Sequence, residues 1–293
     1  MIRGTTRVAA VIGWPVEHSR SPQMFEAAFA AAAVDAVMIP IGVPPEALAP
    51  IIVALRAMRA LGASVTVPHK VAAAALCDEL SPAAREIGAV NCLHVDGDRL
   101  VGHNTDAAGF SDALVAAGFA PAGKRCVILG AGGAARAVAY GLRAVHAGAI
   151  DVIARDPARV TWTAARPWTT ASARACFAAA DLVVDATPIG LADGDASGAA
   201  ESSGAAESSG AAESSDSIHA LPLDALPGAA WVATLVYHRR TILLERAAAR
   251  GHSIVDGRGM LAHQGARAFA IWTGAAPPIH AMQRALEASL HGT

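Results

Sequence analysis

Aromatic and charged side chains are both scarce in this sequence. Aromatic residues make up 4% of the 293 residues and charged residues 16%, whereas 54% of the residues are hydrophobic. A large core is therefore available, built mainly from Ala, Val, Leu and Ile, and the length suggests two modest domains or one large one. The formal net charge is −2, without a long run of Lys or Arg, which argues against nucleic acid as a partner.

Paired cysteines and long apolar runs are also missing. The four cysteines are scattered and form no C-x-x-C motif, so we interpret them as small buried side chains in a reducing cytosol. The longest stretch without Asp, Glu, Lys or Arg, residues 268–283, is interrupted by Gly274 and two prolines. A membrane span needs a longer, unbroken apolar segment. We therefore expect a cytoplasmic protein that contacts no membrane.

Strands and helices alternate along the chain. In the first half, Ser81-Pro82 is expected to start a short helix that ends near Ile87, and segments 89–95 and 99–102 are expected to form a hairpin. In the second half, strands at 125–129, 181–186, 231–235 and 253–255 alternate with helices, which predicts a parallel sheet. The predicted fold class is α/β, with two α/β domains.

One segment differs in kind from the rest. The hexapeptide Gly-Ala-Ala-Glu-Ser-Ser occurs three times in tandem within residues 198–215. It has no apolar periodicity and cannot repay the entropy of ordering. We interpret residues 192–217 as a flexible loop.

Polar residues interrupt the apolar runs between Gly62 and Phe110, at the ends of candidate strands. They are Lys70, Asn91, Asn104, Thr105 and Asp106. Polar side chains at the ends of buried strands are how an α/β protein builds a site. Two hydroxyls further upstream, Ser19 and Ser21, precede a helix; they either cap it or donate hydrogen bonds to a small carboxylate. We predict a substrate site here and no metal site.

A glycine-rich turn follows the strand at 125–129. Its residues Gly130, Ala131, Gly132, Gly133 and Ala134 are expected to bind a pyrophosphate, because the turn leads into a helix whose first N–H groups are free. The next strand ends at Arg155, close to Arg159, and arginines there favour the 2′-phosphate of NADP. Asp156 lies between them and would suit a free 2′-hydroxyl, so NAD stays an alternative.

These motifs together resemble the shikimate dehydrogenase family over nearly the whole chain. The shared segments are His18-Ser-Arg-Ser-Pro22, Val65-Thr-Val-Pro-His-Lys70, Gly88-Ala-Val-Asn91, Asn104-Thr-Asp106, Gly130-Ala-Gly-Gly133, Ala186-Thr-Pro188 and Met260-Leu-Ala-His-Gln264. The resemblance implies NADP-dependent reduction of 3-dehydroshikimate to shikimate. Two alternatives stay open: an NAD-preferring quinate/shikimate dehydrogenase, and a shikimate-binding paralogue without turnover. The oligomeric state is left open between monomer and homodimer.

The resemblance also implies residue roles. Lys70 and Asp106 would be the catalytic pair. The substrate contacts would be Ser19, Ser21, Thr66, Asn91, Tyr237 and Gln264, and further cofactor contacts would be Thr187, Gly257 and Met260. A substrate-binding domain would span residues 1–106, completed by helices at 258–293, and a Rossmann-like NADP-binding domain would span 107–257, with the site in the cleft between them.

The chain departs from the family pattern at several positions. Met24-Phe25 stands where many members have His-Asn, and Thr234 stands where they usually have Asp. At the ribose, Ala154-Arg155-Asp156 replaces Asn-Arg-Thr. None of these changes removes Lys70 or Asp106.

Overall fold

The computed structural model describes residues 2–189 and 220–291. The predicted flexible loop at 192–217 lies outside the described residues. Within them the protein is α/β, and the predicted fold class is confirmed. The chain divides into two compact units: unit 1 is Met1–Asp112 with Gly259–Thr293, and unit 2 is Ala113–Arg258.

Unit 1 contains a mixed sheet of six strands. They are β1 (Arg7–Gly13), β2 (Ala36–Gly42), β3 (Gly62–Val65), β4 (Glu79–Leu80), β5 (Cys92–Asp96) and β6 (Arg99–His103). Their order is β2-β1-β3-β5-β6-β4. Strands β1, β2 and β3 are parallel, while β5 runs antiparallel to both β3 and β6. The predicted hairpin is therefore confirmed as β5–β6.

Five helices follow these strands in the first part of the chain. They are α1 (Ser21–Ala31), α2 (Leu48–Ala57), α3 (Lys70–Ala75), α4 (Pro82–Ile87) and α5 (Asp106–Ala116). The limits of α4 are encoded locally, as predicted. The Ser81 hydroxyl accepts a hydrogen bond from Ala84 N at 3.3 Å, Pro82 occupies the first turn, and Gly88 ends the helix at a φ of 73°.

Unit 2 contains a fully parallel sheet. Its strands are β7 (Arg125–Leu129), β8 (Ala149–Ala154), β9 (Ala165–Pro167), β10 (Leu182–Asp185), β11 (Trp231–Thr234) and β12 (Ser253–Val255), in the order β12-β11-β10-β7-β8-β9. From the central β7–β10 pair, β8 and β9 continue the sheet on one side, and β11 and β12 continue it on the other. This arrangement is that of a Rossmann-like sheet.

Three α-helices accompany the sheet of unit 2 in the described residues: α6 (Gly133–Ala144), α7 (Thr170–Phe177) and α8 (Ile242–Ala248). Side chains of β7, β10 and β11 pack with those of α7 and α8 in one buried apolar cluster. Branched aliphatic residues dominate the buried strands, as expected for a sheet covered on both faces.

Two C-terminal helices, α9 (Gly257–Thr273) and α10 (Ile279–His291), complete the described chain. They pack against α1 in the apolar core of unit 1, where Phe25 and Trp272 lie 5.0 Å apart between ring centroids. The Trp272 indole donates a hydrogen bond to the Leu93 carbonyl at 2.9 Å. A side chain at Gly62 would overlap both groups, which explains the glycine there. Among the described residues, no helix is long and apolar enough to cross a membrane.

Candidate active site

The polar residues predicted for the substrate site gather at one edge of the unit 1 sheet. The segments that follow β1 and β3 lie side by side because these strands are parallel neighbours, and the Trp14 amide donates to the Val67 carbonyl at 3.0 Å. Strand β5 begins at this edge and β6 ends there, since each is antiparallel to its neighbour. Residues far apart in sequence are thus brought together by strand direction alone.

Lys70 and Asp106 form an ion pair at this edge. Each is the first residue of a helix, α3 and α5 respectively, and Lys70 Nζ lies 2.7 Å from Asp106 Oδ2. The lysine side chain is 34% exposed and the aspartate side chain 11%. About a third of the lysine side chain is therefore open to solvent, whereas the carboxylate is sheltered at the N-terminus of a helix, where the dipole favours a negative charge.

Asn91 fixes the other oxygen of the Asp106 carboxylate. Its amide nitrogen donates to Asp106 Oδ1 at 2.8 Å and to Thr105 Oγ1 at 2.9 Å, and its amide oxygen accepts from the Thr105 backbone N at 2.6 Å. Asn91 and Thr105 are both buried. The carboxylate is consequently held at both oxygens, so its orientation is set by the fold.

Gln264 of α9 closes this network. Its side-chain nitrogen donates to the Leu261 carbonyl at 2.9 Å, and its side-chain oxygen accepts from Asn91 at 3.3 Å and from Thr105 at 3.4 Å. Helix α9 reaches this position because Gly109 of α5 has no side chain; a Cβ there would lie 2.6 Å from the backbone nitrogen of Gln264.

Ser19, Ser21 and Thr66 also lie at this edge of the sheet. Ser21 is buried, whereas Ser19 and Thr66 are half-buried. Helix α1 begins at Ser21 without a side-chain cap, and the Ser19 hydroxyl only accepts a long hydrogen bond from Ser21 N at 3.4 Å. Helix capping therefore does not account for the two serines, and their roles as substrate contacts stay predictions.

Two residues that support the site were not singled out from the sequence. Thr105 was noted only as polar, yet it is bonded to both Asn91 and Gln264. His69 is 2% exposed, and its Nε2 lies 2.6 Å from the Val43 carbonyl, which anchors the residue before Lys70. In the sequence, only its position next to the candidate catalytic Lys70 could have indicated that His69 supports the site.

The glycine-rich turn of unit 2 has the geometry that a pyrophosphate requires. Gly130 has a φ of +99°, and a Cβ there would lie 3.2 Å from the Ala186 carbonyl oxygen. Around Gly132 and Gly133 no atom lies within 4 Å of an added Cβ, so these positions are open to a ligand. Helix α6 begins at Gly133 without a side-chain cap, and its first N–H groups are free to bind an anion. The turn therefore fits the predicted cofactor, and Ala131 and Ala134 lie in it.

Arg155, Asp156 and Arg159 all lie at the exposed end of β8. Within the described residues, no hydrogen bond or ion pair engages the three side chains. Trp162, which the sequence did not indicate, donates its indole N–H to the Ala131 carbonyl at 3.2 Å. The glycine-rich turn and the basic residues that were predicted to contact the cofactor thus belong to the β7–β8 half of the sheet.

The remaining predicted contacts are more widely placed. Thr187 lies just after β10, and its amide and hydroxyl both donate to Asp185 Oδ1, at 2.9 and 2.6 Å. Burial raises the pKa of Asp185 to about 6. Gly257 N donates to the Val236 carbonyl at 2.9 Å, while Met260 is a half-buried residue of α9 in unit 1. Tyr237 follows β11 in unit 2, with its ring edge-on to His238 at 5.6 Å.

A parallel sheet with a glycine-rich turn before a helix, together with a separate unit that contains a lysine–carboxylate pair, is the arrangement expected of a nicotinamide-dependent oxidoreductase. Residues 11–93 match the family described as "Shikimate dehydrogenase substrate binding domain", and residues 257–287 match "Shikimate 5'-dehydrogenase C-terminal domain". A relative from Citrifermentans bemidjiense, named shikimate dehydrogenase (NADP(+)), is 40% identical over 304 residues, covering 99% of this chain and 97% of the relative. The chain belongs to the shikimate dehydrogenase family.

Two solved structures extend the comparison to the fold. The shikimate dehydrogenase from Aquifex aeolicus superposes with a TM-score of 0.82 at 29% identity, covering 98% of this chain and 99% of that one. The shikimate 5-dehydrogenase from Thermus thermophilus, in complex with NADP(H) and shikimate, gives a TM-score of 0.80 at 35% identity, covering 96% and 99%. The family predicted from the motifs is confirmed.

Proposed function

We propose that this protein catalyses the reversible, NADP-dependent reduction of 3-dehydroshikimate to shikimate, a step of aromatic amino acid biosynthesis. The observation that carries the proposal is the Lys70–Asp106 pair, 2.7 Å apart and held by Asn91, at the sheet edge that also contains the Ser19–Ser21 pair. Relatives named for this reaction span the whole chain.

The substrate carboxylate is assigned to the Ser19 and Ser21 hydroxyls, with Tyr237 as a third contact. Helix α1 has no side-chain cap at its N-terminus, so the two serine hydroxyls are available to an anion near the positive end of the helix dipole. The ring hydroxyls are assigned to Thr66, Asn91 and Gln264. Gln264 is already fixed by hydrogen bonds that use one of its two side-chain N–H groups, which would keep the other in place for the substrate. Both side-chain N–H groups of Asn91 are engaged by Thr105 and Asp106, so a substrate hydroxyl would have to share one of these bonds.

Lys70 is the group that moves the proton. When a hydride reduces the substrate ketone, its oxygen takes a proton from Lys70 Nζ, and in the reverse direction Nζ takes it back. Asp106 orients the ammonium group through the 2.7 Å hydrogen bond. The exposed part of the lysine side chain lets solvent restore the proton after each turnover.

Unit 2 would hold NADP, which supplies the hydride when it is bound. The turn formed by Gly130, Gly132 and Gly133 would contact the pyrophosphate, and Arg155 and Arg159 the 2′-phosphate. Thr187, Gly257 and Met260 are assigned as further contacts. In this proposal residues 1–106 and 258–293 bind the substrate, and residues 107–257 bind the cofactor.

An activity panel tests the proposal: shikimate and quinate, each with NADP and NAD. We expect shikimate with NADP to give the highest kcat/KM. Lys70→Met should lower kcat about a hundredfold or more while shikimate still binds. Lys124→Met is a matched control, since Lys124 is the only other lysine in the sequence and pairs with Asp181 on the surface of unit 2. Equal activity of Lys70→Met and Lys124→Met would remove Lys70 from the mechanism.

The same panel decides between the alternatives. Preference for NAD would assign Asp156, not Arg155, as the residue that selects the cofactor, and preference for quinate would make the protein a quinate/shikimate dehydrogenase. Shikimate binding without reduction of either cofactor would indicate a binding paralogue. We also propose that the protein acts in the cytoplasm as a monomer or homodimer, which size-exclusion chromatography with light scattering would determine.

A further inference from the structure

Asp185, which the mechanism above does not use, is a buried acid in the middle of unit 2. It is the last residue of β10 and is 1% exposed. Its Oδ1 accepts both hydrogen bonds from Thr187, at 2.9 and 2.6 Å, whereas Oδ2 is buried without a hydrogen-bond partner among the described residues. A buried carboxylate oxygen without a partner is costly and calls for a reason.

The register of the sheet places Asp185 at the centre of the dinucleotide site. It pairs with Leu129, the residue before Gly130, on one side and with Thr234 on the other. The strand order reverses between β7 and β10, and a dinucleotide lies across this point with one mononucleotide on each half of the sheet. The phosphate turn and Arg155 assign the adenosine to the β7–β8 half. Asp185 therefore belongs to the half that holds the nicotinamide.

The surroundings of Asp185 leave its charge uncompensated. The flanking strand β7 is apolar next to it, and β11 contributes Thr234, whose hydroxyl accepts from Val236 N at 3.3 Å. Among the described residues, no ion pair involves Asp185. Burial raises the pKa of its carboxyl to about 6 against the opposing effect of the Thr187 hydrogen bonds, so the group is an anion at neutral pH. An anion in such an apolar setting acts over a distance of several ångströms.

We propose that Asp185 is a specificity-determining residue that favours oxidised over reduced cofactor. The oxidised nicotinamide ring carries a positive charge and the reduced ring carries none, while all phosphates are common to both forms. Repulsion between Asp185 and the phosphates cancels in the ratio of the two affinities, and attraction to the oxidised ring remains. This inference rests on the proposed function, because it requires unit 2 to bind NADP.

The test is the ratio of the dissociation constants of NADPH and NADP⁺, measured by NADPH fluorescence and by competition, without turnover. Asp185→Asn keeps the Oδ1 acceptor for Thr187 and removes the charge. We expect this variant to shift the ratio about five- to tenfold toward NADPH at pH about 8, as for unit charges about 10 Å apart. Asp181→Asn, at the opposite end of β10, is the matched control and should leave the ratio unchanged.

The pH dependence adds a second measurement that does not need the Asn variant to fold. In the native protein the ratio should move toward NADPH as pH falls through about 6, and titration of the 2′-phosphate cancels because both cofactors carry it. Thr187→Val removes one hydrogen bond that stabilises the anion, so it should move the midpoint to higher pH. A ratio that is the same in the native protein and in Asp185→Asn, and independent of pH, would overturn the inference. Failure of the native protein to bind either cofactor would instead overturn the proposed function.

Discussion

The free energy of unfolding of unit 2 in the Asp185→Asn variant, taken relative to the native protein, should increase as pH rises from acid to neutral. The pKa of the Asp185 carboxyl is about 6 in the folded protein and 3.8 as the reference for the unfolded chain. The folded state therefore binds the proton more tightly, and the free energy of unfolding falls as pH rises from about 4 to about 6. Above this window the loss is complete. Asparagine does not titrate and does not incur this loss.

The size of the effect follows from the difference between the two pKa values. A difference of about 2.2, at 1.36 kcal/mol per pKa unit, corresponds to about 3 kcal/mol. The asparagine NH₂ group would occupy the site of the unpaired Oδ2, which costs about 1–2 kcal/mol at every pH. This cost changes the free energy of unfolding of the variant by the same amount at every pH. The quantity to measure is therefore how the difference in unfolding free energy between variant and native protein changes between pH about 4 and about 7.

Amide hydrogen exchange in β7, β10 and β11 is a suitable assay, because it reports the opening free energy of unit 2 by itself. Comparing variant and native protein at the same pH cancels the intrinsic exchange rates and the titration of all other acids. Asp181→Asn should show the opposite sign. Hydrogen bonding from Arg125 N and pairing with Lys124 lower the pKa of Asp181, so its stabilising contribution is present at neutral pH and is lost in acid. A variant–native difference for Asp185→Asn that does not change with pH would refute the reasoning.

Three further substitutions test other parts of the structure. Asn91→Ala should lower kcat about ten- to a hundredfold in steady-state kinetics, because it frees Asp106 Oδ1. It should also destabilise unit 1 by about 2–3 kcal/mol in urea unfolding, because buried hydrogen bonds are lost. An unchanged kcat would contradict the role of Asn91 in holding Asp106. Arg155→Ala should raise the KM for NADP about tenfold without changing the KM for NAD or shikimate, and equal effects on both cofactors would contradict a 2′-phosphate contact. Gly62→Ala should destabilise unit 1 by more than about 2 kcal/mol in urea unfolding, since the added methyl overlaps Leu93 and Trp272. Gly4→Ala is the control, because a methyl there meets no atom within 4 Å.

Elements with a strong local signal could be predicted from the sequence. Strands β7 and β12 have the predicted limits, because each is a short apolar run bounded by polar or turn residues. Helix α4 was predicted from Ser81-Pro82 with an end near Ile87, and the structure confirms Ser81 as its N-cap and Ile87 as its last residue. The edge strands β4 and β9 were missed; they contain two and three residues and have no apolar alternation that could reveal them.

The contacts within the candidate site could be predicted only in part. The motifs predicted Lys70 and Asp106 as a pair, but the hydrogen bond that joins Asn91 to Gln264 connects residues 173 positions apart. Such a contact depends on the close approach of α5 and α9 at Gly109, which no local pattern encodes. The same holds for Trp162, whose loop has no signal for a contact with Ala131.

The departure at Thr234 has a physical explanation in the register of the unit 2 sheet. Thr234 is the direct neighbour of Asp185 on the adjacent strand, and both side chains are buried. An aspartate at position 234 would place two carboxyl groups side by side in an apolar environment, where both cannot be ionised at neutral pH. The ends of β10 and β11 can therefore hold only one ionised carboxyl group, and in this chain that group is Asp185 on β10. The presence of Asp185 on the neighbouring strand thus gives a physical reason for a residue without a carboxyl group at position 234.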